Sequence, residues 1–352
     1  MEEIITTILK EANNAPSGHN YQPWKFRIQN SALLIYNLPE RDTTIYNFLQ
    51  RGSLVSHGAL IENIQIAASQ HGYATTVRLF PEGKMGDCVA RVEFRHSPEI
   101  SQDNLFNAIC KRTTNRKPYK NIPLQEAHRK RILEAGNQNG NTTRLRLIED
   151  PAQKKLLADA FSANERLIME NRAVHQSLFP HIIWTEQEEL ARRSGLYVKT
   201  FELPPPARVA FRLFSHWGLV NIVGKRGLSK SVASQNAKIY ASSSAMGLID
   251  MQDNSRESFV NAGRTLERVW LTATALQISF QPVTAVLYLR QRIASGDTKQ
   301  FSMDHINLVQ QAYDTIQNVF GASSRVMAIT FRIGYGGTPS AYSSKLPPHI
   351  EI

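Results

Sequence analysis

The feature that most constrains the fold of this 352-residue chain is that part of it occurs twice. Gly58-Ala59-Leu60-Ile61-Glu62-Asn63-Ile64-Gln65-Ile66-Ala67-Ala68 aligns without a gap on Gly263-Arg264-Thr265-Leu266-Glu267-Arg268-Val269-Trp270-Leu271-Thr272-Ala273, pairing glycine with glycine, glutamate with glutamate and aliphatic with aliphatic. Such self-similarity marks an internal repeat. In both stretches apolar residues recur three to five positions apart with small residues between, the pattern of a helix packed on more than one side. The match extends outward. Ile8-Leu9 and Glu11-Ala12 correspond to Ile132-Leu133 and Glu134-Ala135, each followed by a polar loop and a strand, Trp24 to Ile28 or Leu145 to Ile148. Val89 to Arg95 and Val326 to Arg332 are both strand-like in their β-branched and aromatic content. The copies therefore run over 1–105 and 106–352. Two units whose long helices are apolar on several faces are expected to bury those helices against each other, as one pseudo-symmetric α+β body.

The second copy is the longer, with a segment from about Leu190 to Gln235 that has no counterpart in the first. It holds Pro204-Pro205-Pro206, read as a stiff exposed link, and then a stretch from Ala207 to Val223 with Val209, Phe211, Leu213, Phe214, Trp217 and Leu219. That apolar face needs a partner. A lid over a pocket is the first expectation, membrane-surface docking through Arg208, Arg212, Lys225 and Arg226 the second, and additional core the third.

Two other stretches carry candidate chemistry. Ala15-Pro16-Ser17-Gly18-His19-Asn20-Tyr21-Gln22-Pro23-Trp24 combines turn residues with hydroxyl and amide groups. It reads either as a cradle for the edge of a planar polar ring or as an ordinary turn anchored by Trp24, with Pro16 and Gly18 permitting the tight path. Lys111-Arg112-Thr113-Thr114-Asn115-Arg116-Lys117 sets two guanidiniums and a hydroxyl at alternating positions ahead of a helix signalled by Pro123, Gln125 and Glu126. That suits a phosphate, or a solvated face.

Composition limits the alternatives. With 42% hydrophobic and 20% charged residues the chain has ordinary globular usage. The net charge of +11 makes nucleic acid a partner to consider, but the basic residues are scattered in short groups without aromatic interleaving, so no nucleic-acid binding is expected. Cys88 and Cys110 have neither disulfide nor metal-ligand spacing and are expected to be small buried thiols, with no metal site. An acidic start, Met1-Glu2-Glu3, and the lack of a long apolar run lead to the expectation of a cytoplasmic protein.

The loop at 15–26 is similar to the Pro-Ser-x-x-Asn-x-Gln-Pro-Trp loop of the nitroreductase superfamily, and Arg112, Thr114 and Arg116 fall in register with that family's Arg-x-Ser-x-Arg motif. The family pairs two α+β subunits through long central helices, so the resemblance implies a nitroreductase-like fold in which one chain supplies both halves, with mixed and antiparallel sheets. It implies FMN as cofactor, held by Ser17, Gly18, His19 and Asn20 from the first copy and by Arg112, Thr114 and Arg116 from the second. Gln281, Pro282 and Val283 lie where the family runs main chain along the flavin. The closing stretch Gly334 to Pro339 and Ser343-Ser344-Lys345-Leu346-Pro347 makes Lys345 a second phosphate cation, against the plain reading of a solvated lysine. Copy two has a shortened, Pro-free loop at 136–141, so one FMN per chain and a dead symmetry-related pocket are expected. The fused form, the Thr-Asn-Arg-x-Pro-aromatic string and the long insertion look most like the Acg-like FMN-binding branch. NAD(P)H as reductant and nitroaromatics or quinones as acceptors follow as expectations, with small molecules as partners of a single-chain pseudo-dimer, membrane-surface contact the lesser alternative and no catalytic side chain nominated. The alternative is a protein that stores FMN under a lid without turning it over.

Overall fold

The computed structural model describes residues 1–83, 86–138 and 142–351, the side chain of Lys225 excepted. The first copy runs α1 (Glu2–Ala12), β1 (Trp24–Gln29), β2 (Ala32–Asn37), α2 (Arg51–Gln70), β3 (Tyr73–Leu79) and β4 (Cys88–His96), and the short α3 (Phe106–Ile109) follows at the junction of the copies. The second copy continues with α4 (Glu126–Gly136) and β5 (Thr143–Ile148). An inserted run follows: α5 (Pro151–Phe161), α6 (Ala163–Glu170), α7 (Arg172–Gln176), β6 (Ile182–Ile183), α8 (Glu186–Arg192), β7 (Leu196–Tyr197), α9 (Pro205–Leu213), α10 (Trp217–Val223) and α11 (Ser229–Ala241). The copy then resumes with β8 (Ala245–Met251), α12 (Arg256–Ala275), β9 (Ser279–Pro282), α13 (Ala285–Ala294), α14 (Met303–Phe320) and β10 (Val326–Gly334), and the chain closes with β11 (Ile350–Glu351).

Strand order shows the duplication in three dimensions. One sheet is ordered β1-β2-β4-β3 and the other β5-β8-β10-β9, each antiparallel throughout, and β11 adds to the first sheet in parallel beside β1. β1 alternates buried Trp24, Phe26 and Ile28 with outward residues, as a half-buried strand must. β8, covered on both faces, is buried at every position.

The helices α2 and α12 form the seam. A Cβ added at Gly58 would lie 1.9 Å from the Val260 carbonyl oxygen, and one at Gly263 would lie 2.0 Å from that of Val55. The repeat glycine is thus the backbone-to-backbone crossing point, and the alignment of Gly58 on Gly263 reflects one contact seen from both sides. The main apolar core runs through this seam, joining Leu60, Ile61 and Ile64 to Leu266, Val269 and Trp270.

The extra length of the second copy is larger than 190–235. Between β1 and β2 the first copy has only the hairpin turn Asn30-Ser31, both left-handed; the second has residues 149–244, plus α13 and α14 between β9 and β10. Nor is Pro204-Pro205-Pro206 a free link: α9 begins at Pro205, where a missing N–H costs nothing and the fixed φ suits the first turn. Phe211 of α9 and Phe214 just after it pack on the cluster of Phe179, Ile183 and Tyr197 within the insertion itself.

Candidate functional site

A cavity of about 400 Å³ opens at the seam, lined from both copies and the insertion. Ser17, Gly18, His19, Asn20, Arg112, Thr114, Arg116, Pro282 and Lys345 all border it, although they are spread over most of the sequence. Gln281 and Val283 do not: Gln281 Oε1 accepts from buried Arg332 Nε at 2.7 Å, and Val283 packs against the core beside the insertion. β-strand alternation explains the split, since neighbours of Pro282 point elsewhere.

The loop from Asn13 to Pro23 is shaped by backbone that few residues adopt. His19, Asn20 and Gln22 have φ of 48°, 59° and 52°, each costing on the order of 1 kcal/mol. Side chains hold them there. Ser17 Oγ accepts from Gln22 N at 2.9 Å; Gln22 Nε2 donates to the carbonyls of Asn20 and Arg193; Gln22 Oε1 accepts from Leu346 N at 2.8 Å. Gly18 is needed for another reason than the expected one, because it is not left-handed: a Cβ there would stand 3.1 Å from Asp42 Oδ2.

The cations reach the cavity on separate segments. Arg112, after α3, donates from Nη2 to Asn14 O at 2.7 Å and lies 4.4 Å from the Trp270 ring centre. Arg116 donates to Thr200 O at 3.1 Å and stacks 5.2 Å from Phe201. Lys345 is delivered by the C-terminal segment that goes on to form β11, and its Nζ donates to Ala15 O and Asn20 Oδ1 at 2.8 Å each. The backbone N–H of neighbouring Ser344 donates to buried Glu189 Oε1 at 2.6 Å, clamping that segment to α8.

Behind Arg112 and Lys345 lies the buried carboxylate of Glu267. Glu267 Oε1 lies 3.3 Å from Arg112 Nε, yet neither atom has a hydrogen bond. Burial pushes the Glu267 carboxyl up to about 7 against the pull of Arg112. Burial, with Arg112 adding repulsion, pushes Lys345 down to about 7. Three cations, Arg112, Arg116 and Lys345, border the cavity and no carboxylate is among its described lining residues, Glu267, Glu189 and Glu202 acting on them from behind, so the cavity wall carries a positive surplus suited to an anion. Burial, His181 and Arg116 push His19 down to about 3, so its ring is neutral among Tyr21, Tyr46 and His181.

Several lining residues escaped sequence reasoning: Asn14, Cys110, Leu196, Thr200, Trp270, Tyr288 and Tyr342. Trp270 had a signal in the repeat, where its partner is Gln65. Cys110 is exposed and lines the cavity, unlike buried Cys88, so the expectation of two buried thiols holds for one. Of the expected lid at 190–235, Leu196 and Thr200 border the cavity, while α9 and α10 do not. The loop at 136–141 lies partly outside the described residues. Among the described residues no group of three or more His, Cys, Asp or Glu could hold a metal, and no helix is long and apolar enough to cross a membrane.

No family model matches the chain. It is 24% identical over 299 residues to a Mycobacterium tuberculosis protein described as "Putative NAD(P)H nitroreductase Rv3131", covering 81% of this chain and 77% of that protein. It is 24% identical over 182 residues, half of this chain and 53% of the relative, to "Putative NAD(P)H nitroreductase acg" of the same organism. An uncharacterized protein of that species aligns over 81% of this chain at 22% identity, but the match spans only 39% of the relative's length. Among solved structures, a Bacteroides fragilis nitroreductase with bound FMN superposes at a TM-score of 0.38 and 11% identity, covering 71% of this chain and 99% of that one.

Proposed function

We propose, from the premise that this chain is a relative of the nitroreductase superfamily through its Acg-like branch, that it is an FMN flavoprotein that takes electrons from NAD(P)H and passes them to a nitroaromatic or quinone acceptor. The observation that carries this is the cavity at the seam, where an over-determined polar loop and a surplus of buried cations meet an apolar wall. The residues present fit FMN. Arg112 Nε is buried with no hydrogen-bond partner, the charge surplus calls for an anion, and about 400 Å³ is within the range of cofactor pockets.

Arg112, Thr114, Arg116 and Lys345 would hold the phosphate and the polar ring edge, the guanidiniums through forked bonds. Ser17, His19 and Asn20 would meet the ring with a backbone already paid for by the fold, so little ordering remains on binding. Val55, Leu266 and Trp270 exclude water from the apolar side. When bound, FMN supplies the hydride and electron chemistry, and the protein supplies position and charge. No side-chain acid or base is required, and a neutral His19 adds no charge to the cavity wall.

We also assign the copies to 1–105 and 106–352, with one FMN per chain. Around Glu62, the counterpart of Glu267, Arg264 and Arg268 occupy the space between the helices. Storage without turnover is the weaker reading: of the described residues at 190–235 only Leu196 and Thr200 border the cavity, and two relatives are described as nitroreductases. An anaerobic visible spectrum tests the proposal. One FMN per chain that bleaches with NADH or NADPH is expected; a flavin that bleaches only with dithionite overturns the enzymatic reading, and a protein that takes up no flavin overturns the whole.

A further inference from the structure

Residues 203–249 contain Arg208, Arg212, Lys225, Arg226, Lys230 and Lys238 and not one Asp or Glu, so this short stretch contributes six of the chain's eleven net positive charges. The same stretch carries the largest cluster of exposed aliphatics. Val209 and Leu213 on α9 are 65% and 53% exposed, and Leu219 and Ile222 on α10 are 39% and 55% exposed. Their placement is systematic. Phe211 on α9 and Phe214 just after it turn inward onto the insertion's own core, leaving Val209 and Leu213, one turn apart, on the opposite side. On α10, Val220 is buried and Trp217 packs on His175, with Leu219 and Ile222 again opposite. Arg212, Arg226 and Lys230 are exposed, Arg212 next to Leu213 on α9 with its guanidinium 5.8 Å from the Trp184 ring centre, and Arg226 and Lys230 within a few residues of the end of α10. Each helix thus has a satisfied aromatic side and a bare aliphatic side bordered by cations.

We propose that the α9–α10 hairpin docks the protein on an anionic lipid surface. Charge selects this occupant. A second copy of the chain would bring like charges together across the same face, whereas anionic headgroups match the cations while the four aliphatics enter the headgroup boundary. Neither helix is long enough to span, so the docking is peripheral. Leu196 and Thr200, on the same insertion a few residues before α9, border the cavity, which places the docking face close to it in sequence. The inference stands apart from the flavin assignment and is read without activity.

The test is co-sedimentation of the full chain with vesicles of phosphatidylcholine alone and of phosphatidylcholine mixed equally with phosphatidylglycerol. Binding is expected to the mixed vesicles only, to weaken with added salt, and to fall roughly tenfold or more in the quadruple variant Val209→Ser, Leu213→Ser, Leu219→Ser, Ile222→Ser. Because all four side chains are exposed, that variant should keep its fold, checked by circular dichroism. The triple variant Arg212→Ser, Arg226→Ser, Lys230→Ser provides a second route to the same loss. Wild-type protein that stays in solution with mixed vesicles overturns the proposal. So does equal binding by the quadruple variant, or a wild-type dimer that this variant converts to a monomer, which would make the face a self-interface.

Discussion

Glu62 on α2 and Glu267 on α12 hold equivalent positions in the two copies, and their charges are met in different ways. Glu62 is gripped by the opposite helix: Arg264 Nε lies 3.2 Å from its Oε2, Arg268 Nε 2.5 Å from its Oε1, and Arg268 reaches on to Asp103 at 2.9 Å. On the other side of the seam the positions equivalent to Arg264 and Arg268 are Ala59 and Asn63, so α2 offers Glu267 no cation. Its cations come from loops, Arg112 and Lys345, which also border the cavity. A carboxylate neutralised within a helix pair is a structural device. One whose partners also face open space leaves those partners able to bind something else. The duplication thus gave one seam two equivalent sides, and substitution of a few residues made one side a closed ion network and the other a candidate site.

The harshest way to break the comparison is to destroy the contact both halves share. Gly263→Leu would force a side chain to within van der Waals overlap of the Val55 carbonyl, and loss of folded protein is expected, measured by circular dichroism and soluble yield. Next, Arg112→Ala with Arg116→Ala should remove charge-assisted bonds worth about 3–6 kcal/mol in all, weakening FMN by roughly two to four orders of magnitude while the fold persists. Full flavin occupancy in that double variant would refute the assigned site. On the other side, Arg268→Ala should do the reverse: a stability loss of about 2–3 kcal/mol in a urea titration, from Glu62 and Asp103 losing their shared partner, with flavin content unchanged.

The finest discrimination is by pH. Lys345 and Glu267 are both poised at about 7. An anion in the cavity favours protonated Lys345, so binding is full below that value and weakens as pH rises through it; ionisation of Glu267 over the same range acts in the same direction. Isothermal titration with FMN should show affinity falling above neutrality, by up to about tenfold per pH unit for each of the two groups. Lys345→Met should flatten much of that slope. An unchanged profile in the variant would remove Lys345 from the site.

Much of this was legible because the repeat is written in residue types. Gly58 and Gly263 are the crossing point, and the strands at 24–28, 145–148, 89–95 and 326–332 are those the alignment marks. Turn chemistry located the loop but not its shape: the left-handed burden falls on His19, Asn20 and Gln22, residues for which sequence gives a weaker signal than for glycine. The insertion was placed too narrowly, since its first helices, α5 to α7, have no compositional break to mark them. Cys110 and Trp270 join the cavity through the packing of α3 and α12, which no local pattern reports.

The sequence by itself determined the two-copy architecture, the helices that must meet and the residue types able to bind an anion, because periodicity and close-packing glycines act locally and repeat visibly. Only the tertiary structure decided that β11 runs back beside β1, that Lys345 thereby reaches the loop at Ala15 and Asn20, and that the cations near Glu267 rather than those around Glu62 border the cavity. Those outcomes depend on contacts between segments hundreds of residues apart, where burial and Coulomb interactions are set by distance in space and leave no period in the chain.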